Sequence, residues 1–321
     1  MPHTIAVIGA GLAGLTAARR LADAGHSVTV FDKGRAPGGR ASTRCREAWQ
    51  ADHGAQYFTV RDPQVEAVAR DWLARGVVRP WAGRIMALEP GGLEDVAVVS
   101  RLVGVPGMQA LAADLATGLD VRASVHVAPI AAAGDGWALA DANGGALGTF
   151  DRVLVTTPPE QAAALVAAVP ALAAEAARVR MAPCLAALVT FEAEVGVEWD
   201  AVFVNTDPVL AWAARDSSKP GRPSRDTWVL HATAAWSRAH VDDDKETYAV
   251  PLIEAFARVA GPLPAVDIVD THRWRYSAAE APLEAGALLA DDAGVALAGD
   301  WCAGSRVEGA ILSGIAAAGL F

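Results

Sequence analysis

The chain opens on an apolar run, "TIAVIGAGLAG", continues with small and apolar residues at helical spacing in "LTAARRLADAG", and returns to an apolar run in "HSVTVFDKG". Apolar runs of this kind predict strands buried on both faces, and the periodic stretch between them predicts a helix ending at Gly25. Together they predict a βαβ unit in a parallel sheet, its second strand ending at Asp32. The far end repeats the arrangement. There "VALA" leads through "GDWCAGSRVEGA" into "ILSGIAAAGLF", again an apolar strand, a glycine-bearing turn and an apolar helix.

Between these ends, "DPQVEAVARDWLARGVV" predicts a helix entered at Asp62-Pro63, and "VGVPGMQALAADLATGL" a second one with a Pro-Gly entry. From Val121, short β-rich runs separated by Gly, Asp and Asn predict an antiparallel meander that returns into a buried strand at Val153 to Thr156. "PEQAAALVAAV" starts another helix. Beyond it "CLAALVTFEA", "DAVFVN", "VLAWAARDS", "TWVLHATAAW" and "VDIVDTHRWRYS" predict the strands of a second sheet, interrupted by a helix from Lys245 to Val259. "DSSKPGRPSRD" is expected to be a polar hairpin loop, and Asp242-Asp243-Asp244 a solvated one.

Composition narrows the function. A 321-residue chain with 53% hydrophobic residues can fill a sizeable core, and a formal net charge of -10 repels a polyanion, which argues against nucleic acid. Cys45, Cys184 and Cys302 form no C-x-x-C pair, as expected in a reducing compartment, and cytoplasm is the expected location. The N-terminal run lacks a basic leader and "AILSGIAAAGLF" is too short for a bilayer, so no membrane role is expected. There is no G-x-S-x-G and no H-E-x-x-H, and the seven histidines are dispersed, so neither a hydrolase elbow nor a metal site is expected.

Gly9, Gly11 and Gly14 form a G-x-G-x-x-G turn directly after the first strand and at the head of the helix. Gly9 permits the tight turn, Gly11 lets a pyrophosphate approach the backbone, and Gly14 lets the helix pack closely. Ala10 and Ala13 share the turn. Asp32, at the end of the second strand, is placed to accept from ribose hydroxyls, with Lys33 beside it. This predicts a dinucleotide site. The following Gly38-Gly39-Arg40 turn would add a guanidinium at the same phosphates.

From Gly9 to Thr43 the chain resembles the extended fingerprint of flavoproteins related to amine oxidases and carotenoid desaturases, with Ala36 in the place of that pattern's first arginine. "DHGAQYFTVRD", "WVLHATAAWS", "THRWRYS" and "GDWCAGSRVEGAILSG" make it most similar to the renalase-like branch. The resemblance implies an α/β fold, with a glutathione-reductase-type Rossmann FAD-binding domain (1–60, 98–160 and 285–321) and an inserted mixed-sheet α+β substrate domain (61–97 and 161–284). It implies noncovalent FAD, held also by Ala55, Gln56, Val127, Gly299, Asp300, Val307, Gly309 and Ala310. In that family Asp300 would accept from the ribityl chain, and the last helix would aim its N-terminus at the flavin ring. The activity implied is oxidation of 2- or 6-dihydro isomers of reduced NAD(P), with hydride passing to FAD and electrons to O2, giving H2O2. Amine oxidation, desaturation of another small molecule and a non-redox isomerisation stay open beside it.

On the second sheet, alternation puts His272, Trp274 and Tyr276 on one face of their strand, and Arg273 and Arg275 on the other. Val229, His231 and Thr233 share a face of theirs. The resemblance places His231 and Trp274 near the flavin, with Tyr57 and Tyr276 as further catalytic candidates; a structural role for His231 also stays open. Trp49, Trp72, Trp81, Trp137 and Trp199 are expected in the core. Lys33, Lys219 and Lys245 are the only lysines, and none lies in a segment expected beside the flavin, which disfavours amine oxidation by the usual lysine-water route.

Overall fold

The structure, a computed structural model, describes residues 1–47 and 49–321. Eight helices occur among them: α1 (Leu12–Asp23), α2 (Pro63–Arg75), α3 (Gln109–Ala116), α4 (Pro159–Leu165), α5 (Pro170–Ala177), α6 (Ala234–His240), α7 (Ala249–Ala260) and α8 (Val307–Ala318). Two main sheets carry the architecture, a mixed α/β fold with a Rossmann-like layer.

The first sheet runs, in spatial order, Ala287–Ala290, Val295–Ala298, Arg152–Val155, Thr4–Ile8, Ser27–Phe31 and Asp120–Arg122. All neighbours are parallel except the first pair. Because strand residues alternate faces, Ile5 and Val7 pack with α1 and α8, while Ala6 and Ile8 pack under the meander and α4. Both faces are covered, as a parallel sheet requires. The strand that begins the chain therefore lies beside one from its middle, and the strand before α8 lies one place further on. The two repeats of the strand-turn-helix pattern end up on one sheet, with α1 packed on α8.

The second sheet has seven strands, ordered Val266–Ala279, Met181–Phe191, Thr227–Ala232, Leu210–Arg215, Ala201–Val204, Ile85–Glu89 and Gly92–Asp95. Leu185, Ala187, Val189, Trp228 and Leu230 face α7 and form a core with Leu252 and Phe256. Alternation turns Ala186, His231 and Trp212 to the opposite face. Met181 and Ala279, at the paired ends of the two longest strands, reach the core of the first sheet. The second sheet thus leans onto the first.

One expectation is corrected. The helix expected from Lys245 begins at Ala249. Starting at Lys245 would put Pro251 in the helix interior, where it lacks an N–H and clashes with the carbonyl four residues back; starting at Ala249 leaves it in the first turn. The loop "DSSKPGRPSRD" joins two antiparallel neighbouring strands as the expected hairpin, with Asp216 and Lys219 buried within it. The five tryptophans expected in the core are buried there.

The contact of α1 with α8 depends on Gly314. A β-carbon at this position would lie 2.4 Å from the Ala13 carbonyl oxygen and 2.8 Å from Thr16 Cβ. Gly314→Ala should therefore force the helices apart and destabilise the protein by about 1–3 kcal/mol, read as a lowered urea midpoint. An unchanged midpoint would show that the helices can separate freely.

Candidate functional site

The glycine turn after the first strand has the shape of an anion cradle. A β-carbon on Gly14 would lie 2.0 Å from the Gly9 carbonyl oxygen, whereas one on Gly11 would meet nothing within 4 Å. The turn is closed behind and open in front. No side chain caps α1, and its first turn holds no acidic residue, so its N-terminal N–H groups and dipole are left for an anion. Asp32 accepts from the backbone N–H of Ala10 and of Gly34, both at 2.6 Å, which fixes the turn while leaving lone pairs for hydroxyl donors. Val127 is buried beside Phe31 in the same neighbourhood. Lys33 is not part of this cradle through its side chain, which is exposed and bonded to Gln161 at 3.1 Å.

Arg40 joins four segments. Its Nη1 donates to the Ser277 carbonyl and to Asp300 Oδ2, both at 2.9 Å, and its Nη2 donates to Asp300 Oδ1 at 2.6 Å. Its own carbonyl accepts from Ala55 N–H at 2.9 Å. The sequence pointed to Arg40 and Asp300 as separate cofactor contacts; the fold pairs them bidentately with each other. Gly38 N–H bonds Ala10 O at 2.9 Å, so the Gly38-Gly39-Arg40 turn lies against the first glycine turn. At α8, Gly309 has no room for a β-carbon, which would fall 1.9 Å from the Gly304 carbonyl oxygen, and Val307 and Ala310 pack on the same core as α1. Gly299, with φ 154°, turns the chain from its strand into Asp300. The glycine cradle, the Arg40–Asp300 pair and the N-terminus of α8, whose start no side chain caps, fit a dinucleotide that extends along them.

The face of the second sheet turned away from α7 carries the other half of the site. His272, Ala186, His231 and Trp212 are register partners across four neighbouring strands, so they form one row. Ala186 is the small residue between the two histidines. Over this row lies His53. Its carbonyl accepts from Trp274 Nε1 at 2.8 Å and from His231 Nε2 at 3.2 Å. Its ring stacks on Trp274 at 5.2 Å and meets His272 edge-on at 4.6 Å. Gly54 follows without a side chain because a β-carbon there would lie 2.1 Å from the Arg40 carbonyl oxygen and 3.1 Å from Trp274.

Of the catalytic candidates, His231 and Trp274 are thus brought together, through His53. Tyr57 packs beyond Trp212, at 5.9 Å between rings, and under Arg101. Tyr276 lies in the other direction, in the core that holds Trp301. The two tyrosines flank the row and belong to different apolar clusters.

Electrostatics keeps all three histidines neutral. Burial, then the neighbouring His272 and Arg44, push His53 down to about 3. Burial dominates at His231, which is lowered to about 4, and at His272, lowered to about 4 with Arg44 as a second cause. The tautomers follow from the partners. A carbonyl only accepts, so His231 carries its proton on Nε2. A guanidinium only donates, so the 3.2 Å contact from Arg44 leaves His272 Nδ1 bare and its proton on Nε2.

Beneath this wall sits an ionic cluster whose members Asp52, Asp216, Lys219 and Arg222 all have fully buried side chains. Lys219 Nζ donates to Asp216 at 2.6 Å, Gln56 Oε1 at 3.1 Å and Asp52 at 3.3 Å, and Arg222 donates to Asp52 at 2.5 Å. Asp52 also accepts from Thr43 Oγ1 at 2.6 Å and Met108 N–H at 2.8 Å. Burial alone would raise Asp52, but Lys219, Arg222 and these hydrogen bonds outweigh it and hold the carboxyl below its ordinary value. Asp216 is pushed up, by burial and by the charge of Asp52. The cluster clamps Asp52 and Gln56 on either side of His53. Sequence reasoning missed His53 and this cluster; the one signal was "DHGAQY", three polar residues in a stretch otherwise of small and aromatic ones.

A Rossmann-type turn, a second strand-turn-helix element beside it and an aromatic wall on an adjoining sheet define the class of flavin-dependent oxidoreductases. The chain belongs to the flavin containing amine oxidoreductase family, whose model matches residues 91–320; that of an NAD(P)-binding Rossmann-like domain matches residues 7–72. It is similar to L-amino-acid oxidases of Daboia russelii (38% identical over 76 residues) and Siganus canaliculatus (42% over 82 residues). Each match covers 23% of this chain, and 14% and 15% of those relatives, respectively. The fold is that of a candidate protoporphyrinogen oxidase of Exiguobacterium sp. 255-15 (TM-score 0.78, 13% identity, 98% of both chains). It is also that of putrescine oxidase bound to putrescine (TM-score 0.74, 13% identity, 99% of this chain and 98% of that one). Among the described residues no helix is long and apolar enough to cross a membrane, and no group of His, Cys, Asp and Glu is arranged to hold a metal ion.

The lowered histidines make stability depend on pH. Their native values lie below the unfolded value of 6.5, so as pH falls below 6.5 the unfolded chain binds protons that the native one refuses. Each should cost about 1.4 kcal/mol of stability per pH unit. Urea midpoints should fall steadily from pH 6.5 to 5, and His272→Asn should flatten the slope by about one proton. Constant midpoints in the wild-type protein would show that the imidazoles titrate normally.

Proposed function

We propose that this protein is an FAD-dependent oxidase of renalase type, acting on 2- or 6-dihydro isomers of reduced NAD or NADP. FAD, held noncovalently, would supply the hydride acceptor, its two electrons passing to O2 to give H2O2. In this reading residues 1–60, 98–160 and 285–321 form the FAD domain, and 61–97 and 161–284 the substrate domain. The residues that would hold FAD are Gly9, Ala10, Gly11, Ala13, Gly14 and Asp32 at the adenosine diphosphate end, with Val127 beside it. Gly38, Gly39, Arg40, Ala55, Gln56, Gly299, Asp300, Val307, Gly309 and Ala310 would hold the flavin end. The reacting protein groups are Tyr57, His231, Trp274 and Tyr276.

One observation carries the substrate class: the wall formed by His53, His231, His272 and Trp274 is aromatic and uncharged, and Asp52, Asp216, Asp270 and Asp300 are already paired. Asp52 and Asp216 face Lys219 and Arg222, Asp270 faces Arg44, and Asp300 faces Arg40. A dihydropyridine needs no strong base, since loss of hydride makes its ring aromatic; it needs stacking at short range. The indole of Trp274 and the row beneath it supply flat surface, and the buried cluster holds His53 and Gln56 still. Amine oxidation is the second reading, favoured by the family and by the L-amino-acid oxidase relatives. Against it, Lys219 is sealed among carboxylates, Lys33 bonds Gln161, and Lys245 lies in an exposed turn.

Anaerobic mixing with borohydride-generated isomers of reduced NAD or NADP should bleach the flavin quickly, and oxygen should restore the colour with H2O2. Ordinary NADH, NADPH and simple amines should act far more slowly. A primary amine that reduces the flavin as fast as the isomers would put the amine reading in first place. Separately, Asp32→Asn removes a charge-assisted acceptor for ribose hydroxyls and loosens the hold on Ala10 and Gly34. FAD binding should weaken by about 1.5–3 kcal/mol; unchanged affinity would take Asp32 out of the site.

A further inference from the structure

His53 is 6% exposed, yet its Nδ1 is sealed from solvent with no hydrogen-bond partner among the described residues. Neither ring nitrogen bonds to the described protein; what the protein does hold is the residue's carbonyl, gripped by Trp274 and His231. A buried imidazole left without partners in this way needs an explanation.

The tautomer follows from which orphan is tolerable. Buried N–H groups without acceptors are rarer than acceptors without donors, so the sealed Nδ1 is the bare nitrogen and the proton sits on Nε2. Nε2 is then a donor, and it is the ring nitrogen still within reach. His272, edge-on to it at 4.6 Å, also keeps its proton on Nε2, because Arg44 donates to its Nδ1. Two neighbouring rings therefore offer N–H groups and no charge, beside the stacked indole of Trp274, and the nearby carboxylates are bound to cations. An ammonium has donors only, and the one bare acceptor on these rings, His53 Nδ1, is sealed. A carbonyl oxygen on a flat ring would find a donor and a stacking partner together.

We propose that His53 is a specificity-determining residue whose Nε2–H donates to the carbonyl oxygen of a planar, carboxamide-bearing substrate ring, and that this donor wall rejects ammonium substrates. The proposal rests on reading this wall as the substrate side of the flavin site, and it deepens that reading by naming the group recognised. No proton or electron moves in this step; the bond selects and orients.

The test is binding, not turnover. Purified protein saturated with FAD is titrated calorimetrically with nicotinamide, with 3-methylpyridine, which has the same ring without the carbonyl, and with benzylammonium. Nicotinamide should bind most tightly. His53→Phe, which keeps the stack and removes the donor, should weaken nicotinamide about tenfold while leaving 3-methylpyridine unchanged. His53→Asn, which restores an N–H, should recover part of the loss. In 15N-histidine-labelled wild-type protein, nicotinamide should shift the His53 Nε2 resonance and 3-methylpyridine should not, a readout that survives if a variant fails to fold. Equal binding of nicotinamide and 3-methylpyridine, tighter binding of benzylammonium, an unchanged His53→Phe affinity or a stationary Nε2 resonance would each overturn the proposal. If dihydronicotinamide isomers fail to bleach the flavin while nicotinamide binding still depends on His53, the activity falls and this inference stands. If they bleach it and His53 makes no difference to binding, the reverse holds.

Discussion

The bidentate pair between Arg40 and Asp300 is the constraint on which the rest of the site depends. A planar guanidinium matched to a carboxylate fixes both direction and distance, which an ammonium in its place would not. Asp300 is nearly buried, and it ties the turn before α8 to the turn after the second strand of the chain. The remaining hydrogen bonds of Arg40 reach Ser277 on the second sheet and Ala55 beside His53. The first sheet's two glycine-bearing turns, the strand that carries Trp274 and the segment that carries His53 are therefore referenced to one residue.

From that point outward the site divides by physical character. Toward the first sheet it offers backbone: an uncapped helix N-terminus at α1 and turns too tight for a β-carbon, which suit phosphate and carry no side-chain specificity. Toward the second sheet it offers side-chain rings in fixed tautomers. The buried cluster of Asp52, Asp216, Lys219 and Arg222 belongs to neither half. Its work is positional, since buried ion pairs add little net stability over apolar packing but are costly to break. Removing Lys219 alone would leave Asp52 and Asp216 to share Arg222 under the stretch that holds Gln56 and His53.

How much of this was legible follows from the range of each interaction. The first sheet could be read from the sequence because its strands are continuous apolar runs, and the glycine turns because their spacing is local. The face shared by His272 and Trp274 was legible from alternation along one strand. The row that brings His231 beside them was not, because register between strands is a property of the sheet. The start of α7 was legible in principle from Pro251, whose place in a helix is restricted to the first turn. The burial of Lys219 was not legible for a different reason: nothing in a Pro-rich polar stretch marks it, and only partners from distant segments make it tolerable.

His53 shows the limit most clearly. In sequence it is one histidine in a short loop, and its ring makes no bond to the described protein that a pattern could anticipate. Its character is set by what surrounds it: a sealed Nδ1, an indole on its face, an imidazole at its edge, and burial that, with His272 and the Arg44 guanidinium, keeps protons away. Each of these would be unremarkable alone. Together they leave an uncharged ring whose outward nitrogen is a donor, and only a ligand with an acceptor could bond to it.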